Sequence, residues 1–429
     1  MNALEPIAVK IHTYGCKVNT YDSGLLQSRL QQNGFVSVQA QPHVHILNTC
    51  AVTKEATLEA VKMARRLKRE DPSALVVVTG CAAQVDTDEF THVPGVDLVV
   101  ANSHKGQIDS LIRQFYRGAL TERIYKSNIF KKEDLEPGGG QELAHTRAFL
   151  KIQDGCDSFC TFCVIPFARG KSRSLTIRQI VDRVLQLEAA AVKEVVFTGV
   201  HIGDYRDGEQ TLEDLLTAVL EKTRVPRLRL SSLEPVEVTP RLLALYTSSE
   251  RLCRHFHMSI QSANTKVLRD MKRQYTAQDV ESALNLIASD VPGSFVGMDV
   301  IAGFPGESDD EFIDSVERLR ALPWTRLHVF PYSSRPGTFA ARRSDHLPRP
   351  VIKRRAEILR QLSAERHAEQ AQRQVGHVKQ ALVLRGGRLL SRDFWSIEAA
   401  GGGAFELNQE VSLRIDGFSS NLSLLASPV

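Results

Sequence analysis

The 429-residue sequence predicts an α/β protein in three parts: an amino-terminal doubly wound parallel sheet over residues 1–117, a central partial (β/α)6 barrel over 145–370, and a small β-rich appendage over 371–429. Three observations predict it. Short runs of Val, Ile and Leu alternate with longer segments of helical period through most of the chain, as in right-handed βαβ units. Residues 118–144 interrupt the pattern with a charged, Pro/Gly-rich stretch, including Lys131-Lys-Glu-Asp-Leu-Glu-Pro-Gly-Gly-Gly140, which has linker composition. After Gly376 the runs turn short and glycine-punctuated, over 377–384, 389–397, 404–407 and 411–415, and fit a small β-barrel that binds RNA.

Composition narrows the class. Two or three domains are expected at this length, and 42% hydrophobic with 24% charged residues is ordinary for a globular protein. No apolar run approaches the ~20 residues of a membrane helix. Residues 1–10 lack the apolar core of a signal peptide, so a cytoplasmic location without membrane association is expected. Seven cysteines in such a chain argue for reduced thiols that serve as ligands, not for a disulfide framework. A net charge of +4 permits an RNA partner without demanding one.

In the first part, residues 7–11 form a β-type run that ends at Thr13-Tyr-Gly-Cys-Lys-Val-Asn19, with a helical pattern over 20–32. Residues 44–48 run into Thr49-Cys50, and Thr53 is placed to cap a helix over 54–69. Residues 75–79 run into Gly80-Cys81, and 96–100 supply a fourth strand. Cys16, Cys50 and Cys81 thus each follow the carboxyl end of a strand, the edge where such sheets bind ligands. If the three strands are neighbours, the thiols converge as ligands of a metal cluster with one position open. Three unrelated cysteines is the bland alternative, and it leaves their equivalent placement to chance. On the helix over 54–70, Lys62, Arg65, Arg66 and Arg69 share one face, solvated by default and RNA-facing in the sharper reading.

From residue 145 the alternation resumes, with strands over 148–153, 194–198, 227–231, 255–260, 295–301 and 326–330, and a first helix over 176–191. Between the first strand and that helix lies Asp154-Gly-Cys-Asp-Ser-Phe-Cys-Thr-Phe-Cys163. Iron-sulfur clusters normally take four cysteines and structural zinc four ligands. Cys156, Cys160 and Cys163, with no fourth Cys or His in the loop, therefore suggest a cluster with one iron open to a substrate or cofactor. A zinc knuckle completed from afar and three packed thiols are the alternatives, and packing gives no reason for cysteines to gather in a Gly/Asp/Ser-rich loop. The loops after the later strands carry further candidates. Gly199 and Gly203 allow close backbone approach; Glu234, Gln261 and Asp299 suit hydroxyls or an ammonium, and Arg335 a carboxylate or phosphate. Cys253 is expected to be a packed core thiol. Residues 341–380 hold ten Lys or Arg against four Asp or Glu, a basic helix that is either solvated or set against RNA phosphates.

These segments carry a resemblance over nearly the whole chain. The Cys-x3-Cys-x2-Cys spacing with Phe162 before the last cysteine resembles the radical S-adenosylmethionine (SAM) superfamily. Together with Leu47-Asn-Thr-Cys-Ala-Val-Thr53, Val78-Thr-Gly-Cys-Ala-Ala-Gln84, Ile165-Pro-Phe-Ala-Arg-Gly-Lys-Ser-Arg173, Leu230-Ser-Ser-Leu-Glu-Pro235 and His328-Val-Phe-Pro-Tyr-Ser-Ser-Arg-Pro-Gly-Thr338, it is similar to the radical SAM methylthiotransferases. Lys17-Val18-Asn19 resembles the branch acting on threonylcarbamoyladenosine in tRNA, since the isopentenyladenosine branch tends to Gln-Met-Asn there. Gln261-Ser-Ala-Asn264 departs from the usual Gln-Ser-Gly-Ser/Ala, and the appendage, TRAM-like in this family, matches poorly. The resemblance implies two 4Fe-4S clusters, on Cys16/Cys50/Cys81 and on Cys156/Cys160/Cys163, with Phe162, Gly199, Gly203, Glu234, Gln261, Asp299 and Arg335 as SAM contacts. It also implies the chemistry. A sulfur held by the first cluster is methylated by one SAM, and a radical from a second SAM removes hydrogen from adenine C2 at position 37 of the tRNA anticodon stem-loop, where the methylthio group is placed. An electron donor such as flavodoxin or ferredoxin and a sulfur donor would be partners. The same chemistry on isopentenyladenosine or on a ribosomal-protein aspartate, and a zinc-stabilised RNA-binding protein without catalysis, are the competing readings.

Overall fold

A computed structural model describes residues 6–133, 135, 146–399 and 405–429. Most of the expected linker's Pro/Gly-rich end and residue 404 of the expected strand run lie outside the described residues. Contacts divide the chain into two compact units, one of residues 1–142, 149–175 and 333–341, the other of 143–148, 176–332 and 342–429.

The first unit is built on a six-stranded, wholly parallel sheet. Its order is Phe35–Ser37, Ile7–Thr13, Val44–Thr49, Leu75–Gly80, Leu98–Ala101 and Ile124–Tyr125. Val44–Thr49 and Leu75–Gly80 are buried at every position, as expected of strands covered on both faces. Leu26 and Leu30 of helix Lys17–Gln32, with Ile108, Leu111 and Ile112 of helix Ile108–Tyr116, cover one face. Ala60, Val61, Ala64 and Leu67 of helix Lys54–Glu70 cover the other. The Thr53 hydroxyl caps that helix by accepting from the Ala56 amide, and Lys62, Arg65, Arg66 and Arg69 are exposed within this unit.

Two strands of this sheet escaped the sequence reading. Phe35–Ser37 and Ile124–Tyr125 are three and two residues long, too short to show a period. The second lies within the stretch expected to link domains. The first helix also begins at Lys17, three residues earlier than its apolar pattern suggests, because Asn19, Asp22 and Ser23 are buried polar residues on its inner face.

The second unit carries parallel strands in two sheets. Glu194–Thr198 pairs with Arg227–Leu230, and Ser232–Leu233, His255–Gln261, Phe295–Ala302 and Arg326–Pro331 follow in order. Helices Ile177–Ala189, Leu212–Lys222, Pro240–Ser248, Ala277–Asp290 and Asp309–Ala321 connect them. The basic stretch forms helix Arg349–Gln372; its Arg355 is not solvated but buried against Glu307 at 2.7 Å. Five strands close a barrel in the order Val378–Val383, Leu389–Ser391, Ser396–Ala399, Leu424–Pro428, Glu410–Phe418; Leu424–Pro428 lies beyond the expected runs, and residues 405–407 of an expected run form no strand.

Charged side chains attach that barrel to the sheets. Arg227 and Arg229, both fully buried, share Glu194 at 2.8 and 2.9 Å. Arg227 also donates to the Leu390 and Ser391 carbonyls at 3.0 Å. Burial opposes charge on Glu194, but Arg229, Arg227 and Arg147 outweigh it and hold the carboxyl far below the usual range.

Candidate cluster site

The strands that end before Cys16, Cys50 and Cys81 are consecutive neighbours in the sheet, with Thr13 opposite Asn48 and Thr49 opposite Gly80. The chain turns outward in opposite directions from the strands Ile7–Thr13 and Val44–Thr49. That makes this edge the topological switch point, where doubly wound sheets hold ligands. Gly15 and Gly80 precede two of the cysteines in left-handed conformations, φ +89° and +96°. A Cβ on Gly15 would stand 2.7 Å from the Cys50 sulfur, and one on Gly80 2.4 Å from the Thr49 carbonyl oxygen. Only glycine lets the loops close this tightly. The Asn19 amide ties them together by donating to the carbonyls of Tyr14 at 2.8 Å and Thr49 at 3.0 Å. Cys16 is exposed while Cys50 and Cys81 are buried. Burial pushes the Cys50 thiol up to about 12, with Cys81 adding to the effect, and raises Cys81 likewise. Thiols in that state become thiolates only when a cationic partner compensates them.

The second triplet belongs to the same unit. Gly155, at φ +77°, brings the Cys156 amide to the Gly170 carbonyl at 3.1 Å. The Cys163 amide donates to the Cys160 carbonyl at 3.0 Å, and the Ile165 amide lies 3.4 Å from the Cys163 sulfur. Cys160 is buried, whereas Cys156 and Cys163 are half-buried, as is Phe162. Phe130, Phe159 and Phe167 pack mutually beside the loop, with ring centres 5.8 to 6.2 Å apart.

Joining the triplets is an ionic network that sequence reasoning did not find. Asp22 meets Lys151 at 2.5 Å, Arg169 at 3.0 Å and Lys105 at 3.3 Å. Asp154 meets Lys151 and Arg169 at 3.0 Å and Arg173 at 3.2 Å. Arg169 also donates to the Asn19 side-chain oxygen at 2.6 Å, and the Asn102 amide reaches the Cys81 sulfur at 3.7 Å. Burial alone would raise Asp22, but Lys151, Lys105 and Arg169 overrule it and hold the carboxyl well below its usual range. Four cations thus surround two carboxylates next to a cavity of about 60 Å³. Buried charge of one sign requires a counterion. Asp154 and Asp22 supply part of it to Arg169 and sustain its charge against burial, and Cys81 and Cys16 would add to this as thiolates. An anionic, thiolate-held group at Cys16, Cys50 and Cys81 fits this surplus.

The remaining candidates divide between the units. Arg335, in the first, is buried and pairs with Asp86 at 2.5 Å, so its carboxylate partner here is the protein's own. In the second, a Cβ on Gly203 would fall 1.8 Å from the Glu237 carboxyl carbon, and Glu237 contacts His201. Glu234 lies 3.1 Å from Arg273 and 3.6 Å from His201, and burial raises its carboxyl. Gln261, at φ +61°, and Asp299 sit on adjacent strands, with Asp299 3.0 Å from His257. Gly199 follows the strand Glu194–Thr198. Cys253 is buried, and burial raises its thiol.

The model of the Radical SAM superfamily matches residues 150–319, and that of the Uncharacterized protein family UPF0004 matches residues 8–101. Among solved structures, the radical S-adenosylmethionine methyltransferase TsrM from Kitasatospora setae shares the fold, with a TM-score of 0.59 at 15% identity over 79% of this chain and 77% of that one. Fold and cysteine loop together are those of the radical SAM class. The threonylcarbamoyladenosine tRNA methylthiotransferase MtaB of Aquifex aeolicus is 36% identical over 92% of this chain and 97% of its own. Its namesake in Bacillus subtilis is 35% identical over 86% and 83%. A tRNA-2-methylthio-N(6)-dimethylallyladenosine synthase of Bartonella bacilliformis is 29% identical over 97% and 96%. The chain belongs to the threonylcarbamoyladenosine tRNA methylthiotransferase family.

Proposed function

We infer that this protein methylthiolates C2 of N6-threonylcarbamoyladenosine beside the anticodon of tRNA. The observation that carries the reading is the meeting, in one unit, of two cysteine triplets joined through Asp22, Arg169 and Asp154. Cys156, Cys160 and Cys163 would hold one 4Fe-4S cluster, and Cys16, Cys50 and Cys81 the other. When bound, these groups and SAM supply a radical able to take an aromatic hydrogen, and a sulfur to replace it.

The chain's own residues do the positioning. Gly15, Gly80 and Gly155 fix the cysteine loops, and Arg169 with Lys151 and Lys105 offsets anionic charge. Buried Cys50 and Cys81 keep solvent from one side of their group, while Cys16 faces out. Phe162, Gly199, Gly203, Glu234, Gln261 and Asp299 are the candidate SAM contacts, and Arg335 is read as a support through Asp86. A one-electron donor of flavodoxin or ferredoxin type and a sulfur donor complete the reaction, in the cytoplasm.

The test is anaerobic turnover on tRNA carrying threonylcarbamoyladenosine or isopentenyladenosine, followed by nucleoside mass spectrometry. Methylthio product on the first substrate is expected, with none from Cys50→Ala, although that variant keeps part of its reductive SAM cleavage. Product on isopentenyladenosine alone would sink the assignment.

A further inference from the structure

Three neighbouring parallel strands of the second unit carry polar side chains on one face. Gly297 lies opposite His257 on one side and Arg326 on the other, and Asp299 lies opposite His328. Side chains alternate between faces along a strand, so these residues share a face, while Met258, Met298 and Leu327 between them are buried on the other. The Asp299 carboxylate meets Nε2 of His257 at 3.0 Å, which leaves Nδ1 of that ring for a ligand. That Nδ1 and Nε2 of His328 stand 3.6 and 3.7 Å from the place a Cβ on Gly297 would occupy. The two imidazoles, with ring centres 5.3 Å apart, thus border a gap that exists because residue 297 has no side chain. Arg326 flanks the gap across the sheet, exposed and with no hydrogen-bond or ion-pair partner among the described residues. Arg326 and His328 also line a cavity of about 290 Å³ whose wall includes Trp395, stacked on His367 at 4.7 Å, and no Asp or Glu.

Two imidazoles and a guanidinium around one gap suit a carboxylate. The depth suits one too. Pro331 ends its strand three positions beyond His328, about 10 Å at ~3.3 Å per residue. The arm from adenine N6 to the threonyl carboxyl carbon spans one peptide unit and one further bond, about 5 Å. With the width of the purine added, a base whose C2 sits at the strand ends delivers its carboxylate to this level. We propose that His257, His328 and Arg326 select the substrate by binding the carboxylate of its threonylcarbamoyl group, with Asp299 orienting His257. This rests on the threonylcarbamoyladenosine reading above. A neutral isopentenyl group is then refused because it leaves these donors without an acceptor.

The test compares two anticodon stem-loops, one carrying N6-threonylcarbamoyladenosine and one with its threonine carboxyl converted to the primary amide. Dissociation constants are read by fluorescence anisotropy on anaerobically reconstituted protein with SAM and no reductant, and KM by mass spectrometry of the product. The unsubstituted protein should bind the acid about tenfold more tightly than the amide, as one charge-assisted contact predicts, and the ratio should reappear in KM. Arg326→Gln, His328→Gln and Gly297→Ala, whose methyl enters the gap at ordinary contact distance, should each lower the ratio roughly threefold or more. Reductive SAM cleavage should persist in all three. Arg326 is exposed, so its variant decides the matter if a histidine variant fails to fold. Equal affinity of the unsubstituted protein for acid and amide overturns the proposal, as does a ratio that Arg326→Gln and Gly297→Ala both leave intact. Failure of the function itself looks different, for neither stem-loop then gains a methylthio group, whatever its affinity.

Discussion

His367 is held neutral by its surroundings, with burial pushing its pKa down to about 4 and Arg326 adding to the effect. In the unfolded chain the imidazole titrates near ~6.5. Because folding depresses this pKa, its contribution to stability is present above pH 6.5 and is lost as pH falls toward 4. Melting temperature should therefore decline as pH drops from 7 to 5, and less so in His367→Phe, which keeps the stack on Trp395 without the titration; parallel slopes would exclude the role. The buried charges of the cluster site are a different case. Asp22 and Lys151 lie 129 positions apart in sequence and meet at 2.5 Å. Nothing local marks either one, since lone charged residues on helices and strands are usually solvated. Cys16, Cys50 and Cys81 were legible because each follows a hydrophobic run, and Cys156, Cys160 and Cys163 because of their close spacing, whereas their counter-charges become visible only when distant segments fold together.

At the scale of elements, the legible strands were those long enough to show a run, and helix starts were set by residues that hydropathy ignores. The helix expected from residue 20 begins at Lys17 because polar Asn19 and Asp22 face inward. Val44–Thr49 and Leu75–Gly80 read clearly because both faces are covered. The transition from strand to cysteine loop depends on glycine at Gly155, where a Cβ would lie 1.9 Å from the Lys171 carbonyl oxygen. Gly155→Ala should cost of order 1–3 kcal/mol in backbone strain, with the clash in addition. It should also lower the iron retained after anaerobic reconstitution, while Gly208→Ala, at φ +61° with open space around it, bears the strain without the clash. Equal iron content in the two variants would show that the Gly155 approach does not shape the loop.

On the scale of the molecule, the first unit is assembled from three separated pieces of chain, residues 1–142, 149–175 and 333–341. Val164 and Ala168 complete the apolar cluster beneath the helix Lys54–Glu70, and Lys151 and Arg169 neutralise Asp22. A fragment of residues 1–142 lacks all four and should melt broadly, without the cooperative transition of the full chain, in a calorimetric scan. A sharp transition at the full-chain temperature would show the sheet to be self-sufficient. The same discontinuity sets a clock on the ribosome. Some 199 residues must be made between position 142 and position 341, which takes roughly 10 to 40 s at about 5–20 residues per second. Throughout that interval Cys16, Cys50 and Cys81 are already outside the exit tunnel while segments that will enclose them are still being synthesised. The nascent chain therefore presents three ligand thiols well before the segments that complete their site have been made.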